Sequence, residues 1–331
     1  VKKGIILSGM RPTGKLHIGH LSVLENWVKL QEEYDCYYAI TDWHALTTSF
    51  EDTSAIRENI YEMALDWLSA GIDPQKSAVF VQSDVKEHAE LHLLLSMITP
   101  LSWLERVPTF KDQINQFKEE GRDISTYGFL GYPLLMAADI LVYKANLVPV
   151  GEDQLPHLEF SREVVRRFNY IYGKEILVEP QALIPRFPVL PGIDGRKMSK
   201  SYQNDIAIDS TEEEVRGKVR LMVTDPARIH KTDPGHPEVC TVFLYHEVYN
   251  EKEKEEIESL CRAGKIGCVA CKENLVQKLN LFLTPLRQKR KELQEEPGLI
   301  YDILTAGAEK ARQKASLTLK EVREAMGLFS A

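Results

Sequence analysis

The 331-residue chain lacks any apolar run approaching the ~20 residues that a membrane-spanning helix needs, which excludes an integral helical membrane protein. It lacks a signal-peptide core: Val1-Lys2-Lys3-Gly4 leads straight into a strand-like stretch, so a cytoplasmic location is expected. It lacks a positive charge balance. The formal net charge of −8 excludes a uniform basic coat and confines any RNA contact to a local patch. Cysteine is scarce and odd in number, five residues in a long chain without export signals, which argues for reduced thiols or metal ligands over disulfides. There is no internal repeat and no low-complexity tract. What is present is a 44% hydrophobic fraction, enough for a sizeable core in a chain long enough for two or three domains.

Strand-like and helix-like stretches alternate through the first two hundred residues. Strand candidates cover 5–8, 37–41, 78–82 and 147–150, and helical periodicity covers 21–33, 54–69, 85–98 and 155–168. Such alternation predicts an α/β fold: a Rossmann-like parallel sheet with helices on both faces, assigned to residues 1–204. Residues 99–126 break the pattern with Trp103, Pro108, Phe110 and a charged run from Lys118 to Asp123. They read as an insertion, either a long surface loop or a subunit contact. After Ser201 the strand signals fade. Helices are expected over 212–222, 251–261, 272–283 and 317–326, and Arg287, Lys289, Arg290 and Lys291 cluster nearby, so 205–331 is assigned to an α-helical domain.

Ligands of parallel sheets bind beyond the carboxyl ends of the strands. The segment Pro12-Thr13-Gly14-Lys15-Leu16-His17-Ile18-Gly19-His20 sits at such an end, between an apolar strand and a helix with Leu21, Leu24, Trp27, Val28 and Leu30 on one side. Strand, turn and helix in this order present backbone N–H groups to phosphate. His17 and His20, three apart, share a face and can donate to an anionic oxygen. Gly19 leaves room for a flat ring. Alone, this is equally a helix start with two surface histidines. A second motif joins it downstream, Arg196-Lys197-Met198-Ser199-Lys200-Ser201, in a loop opened by Pro191-Gly192 and Gly195.

Together these motifs resemble the HIGH and KMSKS pair of class I aminoacyl-tRNA synthetases, letter for letter at His17-Ile18-Gly19-His20 and Lys197-Met198-Ser199-Lys200-Ser201. A third segment refines the resemblance. From Pro133, a favoured first helical residue, Tyr132, Met136, Asp139 and Tyr143 fall on one face. An aspartate within an apolar face either bonds a local backbone group or a buried Arg, or forms the floor of a substrate pocket. Indole N–H is a donor only, and a carboxylate is its natural partner. With Val148-Pro149-Val150-Gly151-Glu152-Asp153-Gln154, this segment is similar to the tryptophanyl branch; the tyrosyl branch typically lacks the Ala-Ala-Asp-Ile run. The resemblance extends through Glu321 to Leu328.

It implies ATP-dependent activation of L-tryptophan and its transfer to tRNA(Trp) by a homodimer, with Mg²⁺ on the ATP phosphates. By position, Asp139 takes the indole N–H, Tyr132 and Gln154 the ammonium, Met136 packs on the ring and His44 lies nearby. Gly151, Glu152 and Asp153 line the ribose site. His17 and His20, with backbone groups of Thr13 and Gly19 beside Pro12, serve the α-phosphate. Lys197 and Lys200 serve the pyrophosphate, with Met198 in the loop and Ser199 and Ser201 as hydroxyl donors. Arg11 stands where many bacterial members carry Gln, and contacts either the substrate carboxylate or the α-phosphate.

Cys240, Cys261, Cys268 and Cys271 lie in the helical part, the last two as C-x-x-C. They are scattered buried thiols, a tetrahedral Zn²⁺ site, or the ligands of a [4Fe–4S] cluster. A second C-x-x-C, the usual zinc pairing, is absent. A subset of the resembling enzymes carries a similar set on a [4Fe–4S] cluster, which implies a structural cluster near the anticodon. Cys36 reads as core. Three rival readings remain: tyrosyl specificity, a shorter nucleotidyltransferase with a Gly-His-x-Gly-His motif, and a non-catalytic synthetase-like RNA-binding protein.

Overall fold

A computed structural model describes residues 2–107, 114, 117–119, 121–184 and 190–329, with the backbone alone at 201. Five short strands form one parallel sheet: β1 (Ile5–Met10), β2 (Asp35–Ile40), β3 (Ser77–Val81), β4 (Leu147–Pro149) and β5 (Gln181–Leu183). Their order is β3-β2-β1-β4-β5. β3 is buried at every position and β2 at all but its first, as expected of parallel strands covered on both faces. The direction of strand succession reverses between β1 and β4, so the crevice for a ligand opens beyond their carboxyl ends, which lead into Arg11 and Gly151. The α/β expectation therefore holds. β5 went unread because Gln181-Ala182-Leu183 is not an apolar run: Gln181 is exposed and the other two are half-buried. The helices Asp42–Ser49 and Thr241–Tyr249 were also unread, and the helix expected over 272–283 runs from Cys268 to Gln294. Pro108 and Phe110 of the 99–126 insertion lie outside the described residues.

The chain divides into two compact units, one of residues 1–14, 26–185 and 296–331, the other of 15–25 and 186–295. This differs from a single cut at residue 205, and the last helix, Pro297–Ala325, supplies the reason. Ala308, Ala311, Ala315, Leu319 and Val322 are buried in the same apolar core as Tyr37, Ala78 and Phe80 of the sheet. Small side chains let the helix approach closely. At Gly307 a Cβ would run into the backbone carbonyl of Val79 in β3. The helix is thus a layer of the sheet unit. In the other unit the helix Glu212–Leu221 opens with a reciprocal cap: Thr211 Oγ1 accepts from Glu214 N–H (3.2 Å) and Glu214 Oε2 accepts from Thr211 N–H (2.7 Å). Its buried Val215 and Val219 share that unit with Leu275, Val276, Leu279 and Leu283.

Gly307→Ala should destabilise the protein by roughly 1–3 kcal/mol, the usual range for overpacking. Gly298→Ala in the same helix, where a Cβ meets nothing within 4 Å, serves as the control. Equal melting temperatures for the two variants would contradict the close approach.

Candidate active site

Pro133 sits in the first turn of the helix Tyr132–Leu141, and the periodicity of that helix turns Asp139 inward, where it is 4% exposed. A carboxylate leaves water at a cost of several kcal/mol unless donors replace the solvent. Here three side chains do so. Gln82 Nε2 reaches both oxygens (2.7 and 2.8 Å), His88 Nδ1 lies 2.6 Å from Oδ1, and His44 Nε2 lies 2.8 Å from Oδ2. An ionised carboxylate only accepts, so both imidazoles donate at these nitrogens. Burial pushes the Asp139 carboxyl up, but the bonds from His44 and His88 outweigh it and hold the group below the usual carboxylate range. Behind His88, Tyr143 places its hydroxyl 2.6 Å from Nε2. In the tautomer with its proton on Nδ1, toward Asp139, Nε2 is the acceptor for the tyrosine hydroxyl. Gln82 Oε1 is buried and has no hydrogen-bond partner among the described residues.

Of the residues read from the sequence, the structure brings His44 to Asp139. Tyr132 shares the helix and bonds through its hydroxyl to His157 Nε2 (3.2 Å), and Met136 is half-buried on the core. Gln154 is turned elsewhere: its amide donates to Asp153 Oδ2 at 2.8 Å. Gly151 and Asp153 are close, since a Cβ at Gly151 would lie 2.6 Å from Asp153 Oδ1, and Glu152 is exposed beside them. Arg11 is exposed just past β1, Pro12 is buried, and the Thr13 N–H already donates to the Arg11 carbonyl (2.8 Å). Gln82, His88 and Asn204, described below, were missed. Gln82 directly follows β3, so applying the strand-end rule to every strand would have found it.

In the other unit, the two motifs meet. The rings of His17 and His20 lie 3.8 Å apart, tilted by 33°. The His17 N–H donates to His20 Nδ1 (3.2 Å), which places the proton of a neutral His20 on Nε2. At Gly19 a Cβ would stand 3.0 Å from His17 Nδ1 and 3.3 Å from Met198 Sδ, so the missing side chain leaves the second motif close against the first. Burial, then the charge of Lys200, lowers His17 to about 4; burial, then His17 and Lys200, lowers His20 to about 3. Both are neutral donors at pH 7.

Buried Asn204 shapes the lysine loop. It accepts from Ser199 N–H (2.8 Å) and donates to the Lys197 carbonyl (3.1 Å) and Asp194 (2.8 Å). Lys197 is exposed, Met198 buried and Lys200 half-buried, while Arg196 pairs with Asp194 (2.6 Å). The Ser201 side chain lies outside the described residues.

The four clustered cysteines are gathered in part. Arg228 Nη1 lies 3.7 Å from Cys261 Sγ and 3.8 Å from Cys268 Sγ, and Cys271 Sγ lies 3.4 Å from His246 Nε2. Burial, with the thiols of Cys240, Cys261 and Cys268, pushes Cys271 up to about 12. The donors suit a soft metal in kind. Among the described residues no group of three or more His, Cys, Asp or Glu side chains lies placed to hold a metal ion as these side chains stand. The basic cluster is divided as well: Arg290 is 4% exposed, with Asp209 at 3.9 Å, whereas Lys289 and Lys291 face solvent.

Two neutral histidines, a lysine loop held against them, and a parallel sheet with its switch at β1 and β4 define a class I aminoacyl-tRNA synthetase. Residues 2–284 match the family described as tRNA synthetases class I (W and Y), and the chain belongs to that family. It is 51% identical to the tryptophan–tRNA ligase of Thermotoga maritima, covering 98% of this chain and 99% of that one. It is 45% identical to the tryptophan–tRNA ligase of Aquifex aeolicus over 98% and 99%. The crystal structure of Campylobacter jejuni tryptophanyl-tRNA synthetase complexed with ADP and tryptophan superposes with a TM-score of 0.89, at 36% identity, over 98% of this chain and 100% of that chain. Among the described residues no helix is long and apolar enough to cross a membrane.

The lowered histidines carry a pH signature. The unfolded chain binds their protons near pH 6.5, the folded chain only near 4 and 3. Stability is therefore present above pH 6.5 and is lost as pH falls through that window. In urea titrations, a His17→Asn/His20→Asn variant should lose less stability than the wild type between pH 6.5 and 4. Parallel curves would contradict the neutral, desolvated pair.

Proposed function

We infer that the chain joins L-tryptophan to tRNA(Trp) in two steps. The observation that carries the choice of amino acid is the buried, ionised Asp139. The tryptophan carboxylate attacks the α-phosphorus of ATP, a P–O bond breaks, and pyrophosphate leaves. A terminal ribose hydroxyl of the tRNA then attacks the acyl carbon of the adenylate and AMP departs. The first nucleophile is already an anion, so no base is required, and catalysis is positioning plus stabilisation of charge on phosphate oxygens. In this reading Asp139 accepts the indole N–H, with Met136 against the ring and Tyr132 toward the ammonium. Gln154 joins them only after leaving Asp153. His20 Nε2 and His17 donate to the α-phosphate. Lys197 and Lys200 meet the departing pyrophosphate, and Mg²⁺ accompanies the ATP phosphates. Gly151, Glu152 and Asp153 receive the ribose. Arg11, exposed beyond β1, takes the carboxylate or the α-phosphate. Tyrosine also carries a donor, but the tryptophan ligases among the relatives favour the indole.

Lys200→Ala should slow adenylate formation roughly hundredfold, the effect of removing one donor from a developing anion. Tryptophan affinity should stay nearly intact, because the charge appears only as pyrophosphate leaves. Pre-steady-state measurement of adenylate decides this. An unchanged rate removes Lys200 from the mechanism.

We further propose that the helices of 205–295 dock the tRNA, that the protein is a cytoplasmic homodimer, and that Cys240, Cys261, Cys268 and Cys271 hold a [4Fe–4S] cluster, with Zn²⁺ as the alternative. The dimer is supported by large apolar side chains left in water near the insertion, Met97 at 67%, Leu101 at 64% and Tyr127 at 70% exposed. The cluster is supported by four soft donors with mutual electrostatic influence and an arginine between two of them. It would be structural, with Cys268 and Cys271 in the first turn of their helix. Anaerobically purified protein should be brown and should scatter light as a dimer of the 37.8 kDa chain. Cys268→Ser should bleach it and weaken aminoacylation more than pyrophosphate exchange. Colourless protein with one bound Zn²⁺ would replace the cluster by zinc. Metal-free protein with full aminoacylation would leave the thiols as packing residues.

A further inference from the structure

We propose that His88 and Tyr143 form a positioning pair that holds one oxygen of Asp139 fixed and thereby sets the preference of the site for a ring that carries an N–H. The inference rests on the reading that Asp139 accepts the indole N–H, and goes beyond it by assigning the residues behind the carboxylate.

Asp139 has no spare strong acceptor position, because four contacts from three donors occupy its two oxygens. An incoming N–H must therefore share or replace a bond. The donors differ in access. The His88 side chain is wholly buried, Gln82 is 0% exposed, and His44 retains 12% of its side-chain surface. His44 is thus the replaceable donor on Oδ2, and His88 on Oδ1 is the fixed one. What fixes His88 is Tyr143, also fully buried. Its hydroxyl meets Nε2, and its ring stacks on Tyr37 of β2 (4.5 Å, 17°) and meets Phe80 of β3 edge-on (6.0 Å, 64°). The orientation of the carboxylate is therefore transmitted from the sheet through tyrosine and imidazole. An all-apolar pair would fill such a core equally well or more stably, so two polar groups here point to a demand made by Asp139. With Oδ1 held, the carboxylate cannot rotate to follow a ligand, and only a donor at the Oδ2 side is satisfied. A ring of the same shape without that donor leaves a buried charge with one bond fewer.

The probe is L-tryptophan against β-(3-benzothienyl)alanine, which replaces the N–H by sulfur at nearly the same shape. The readout is the ratio of their kcat/KM values in ATP–pyrophosphate exchange. Tyr143→Phe should lower the ratio about tenfold, the scale of one net hydrogen bond, by raising KM for tryptophan while KM for ATP stays unchanged. His88→Leu should lower the ratio further, and His88→Asn, which keeps an N–H near the position of Nδ1, should restore most of it. If Asp139→Ala collapses the ratio while Tyr143→Phe and His88→Leu retain it, the pair is overturned and the Asp139 reading stands. If Asp139→Ala also retains the ratio, both fall. Parallel rises in the two KM values, or equal effects of Leu and Asn at position 88, would mark a merely structural role and overturn the proposal.

Discussion

A negative charge removed from water must be given donors, and the sheet unit is arranged so that three of them reach one carboxylate. Gln82 directly follows β3, His88 belongs to the helix Glu87–Ser96 after it, and His44 belongs to the helix that follows β2. Asp139 itself comes from the helix leading to β4. None of these residues is near another in sequence except Gln82 and His88. Their convergence follows from parallel strands that all present their carboxyl ends to one side. Breaking any one contact would leave a buried charge poorly solvated, so the carboxylate also constrains the packing of these elements.

The second unit solves the opposite problem. In the proposed mechanism phosphate brings its own charge, and the imidazoles would supply donors without added cationic charge. Burial and Lys200 keep His17 and His20 neutral, and the His17 backbone selects the His20 tautomer. The two motifs are in close contact at Gly19, where a Cβ would stand 3.3 Å from the buried Met198.

Much of this was legible in the sequence. Four of the five strands announced themselves as apolar runs, and the two motifs are literal. Asp139 stood out because its period placed a charge on an apolar face. Its donors did not stand out, since a glutamine after a strand and a histidine in an apolar helix gain meaning only when the sheet order brings them together. Only the end of the last helix was read, over 317–326; Gly307 and the alanines that pack it against the sheet lie before that stretch and gave no sign of their place beside β3. The cysteines were easy to count, yet the interposed Arg228, distant in sequence from Cys261, could not be foreseen from spacing.

The central claim is that Asp139 reads the indole N–H through an exchange with His44. A crystal structure with L-tryptophan bound tests it most directly. The account predicts the indole nitrogen about 3 Å from Asp139 Oδ2, with the His44 bond lengthened or broken and the His88 bond intact. An indole N–H directed to the unpaired Gln82 carbonyl, with all four contacts to Asp139 preserved, would contradict it.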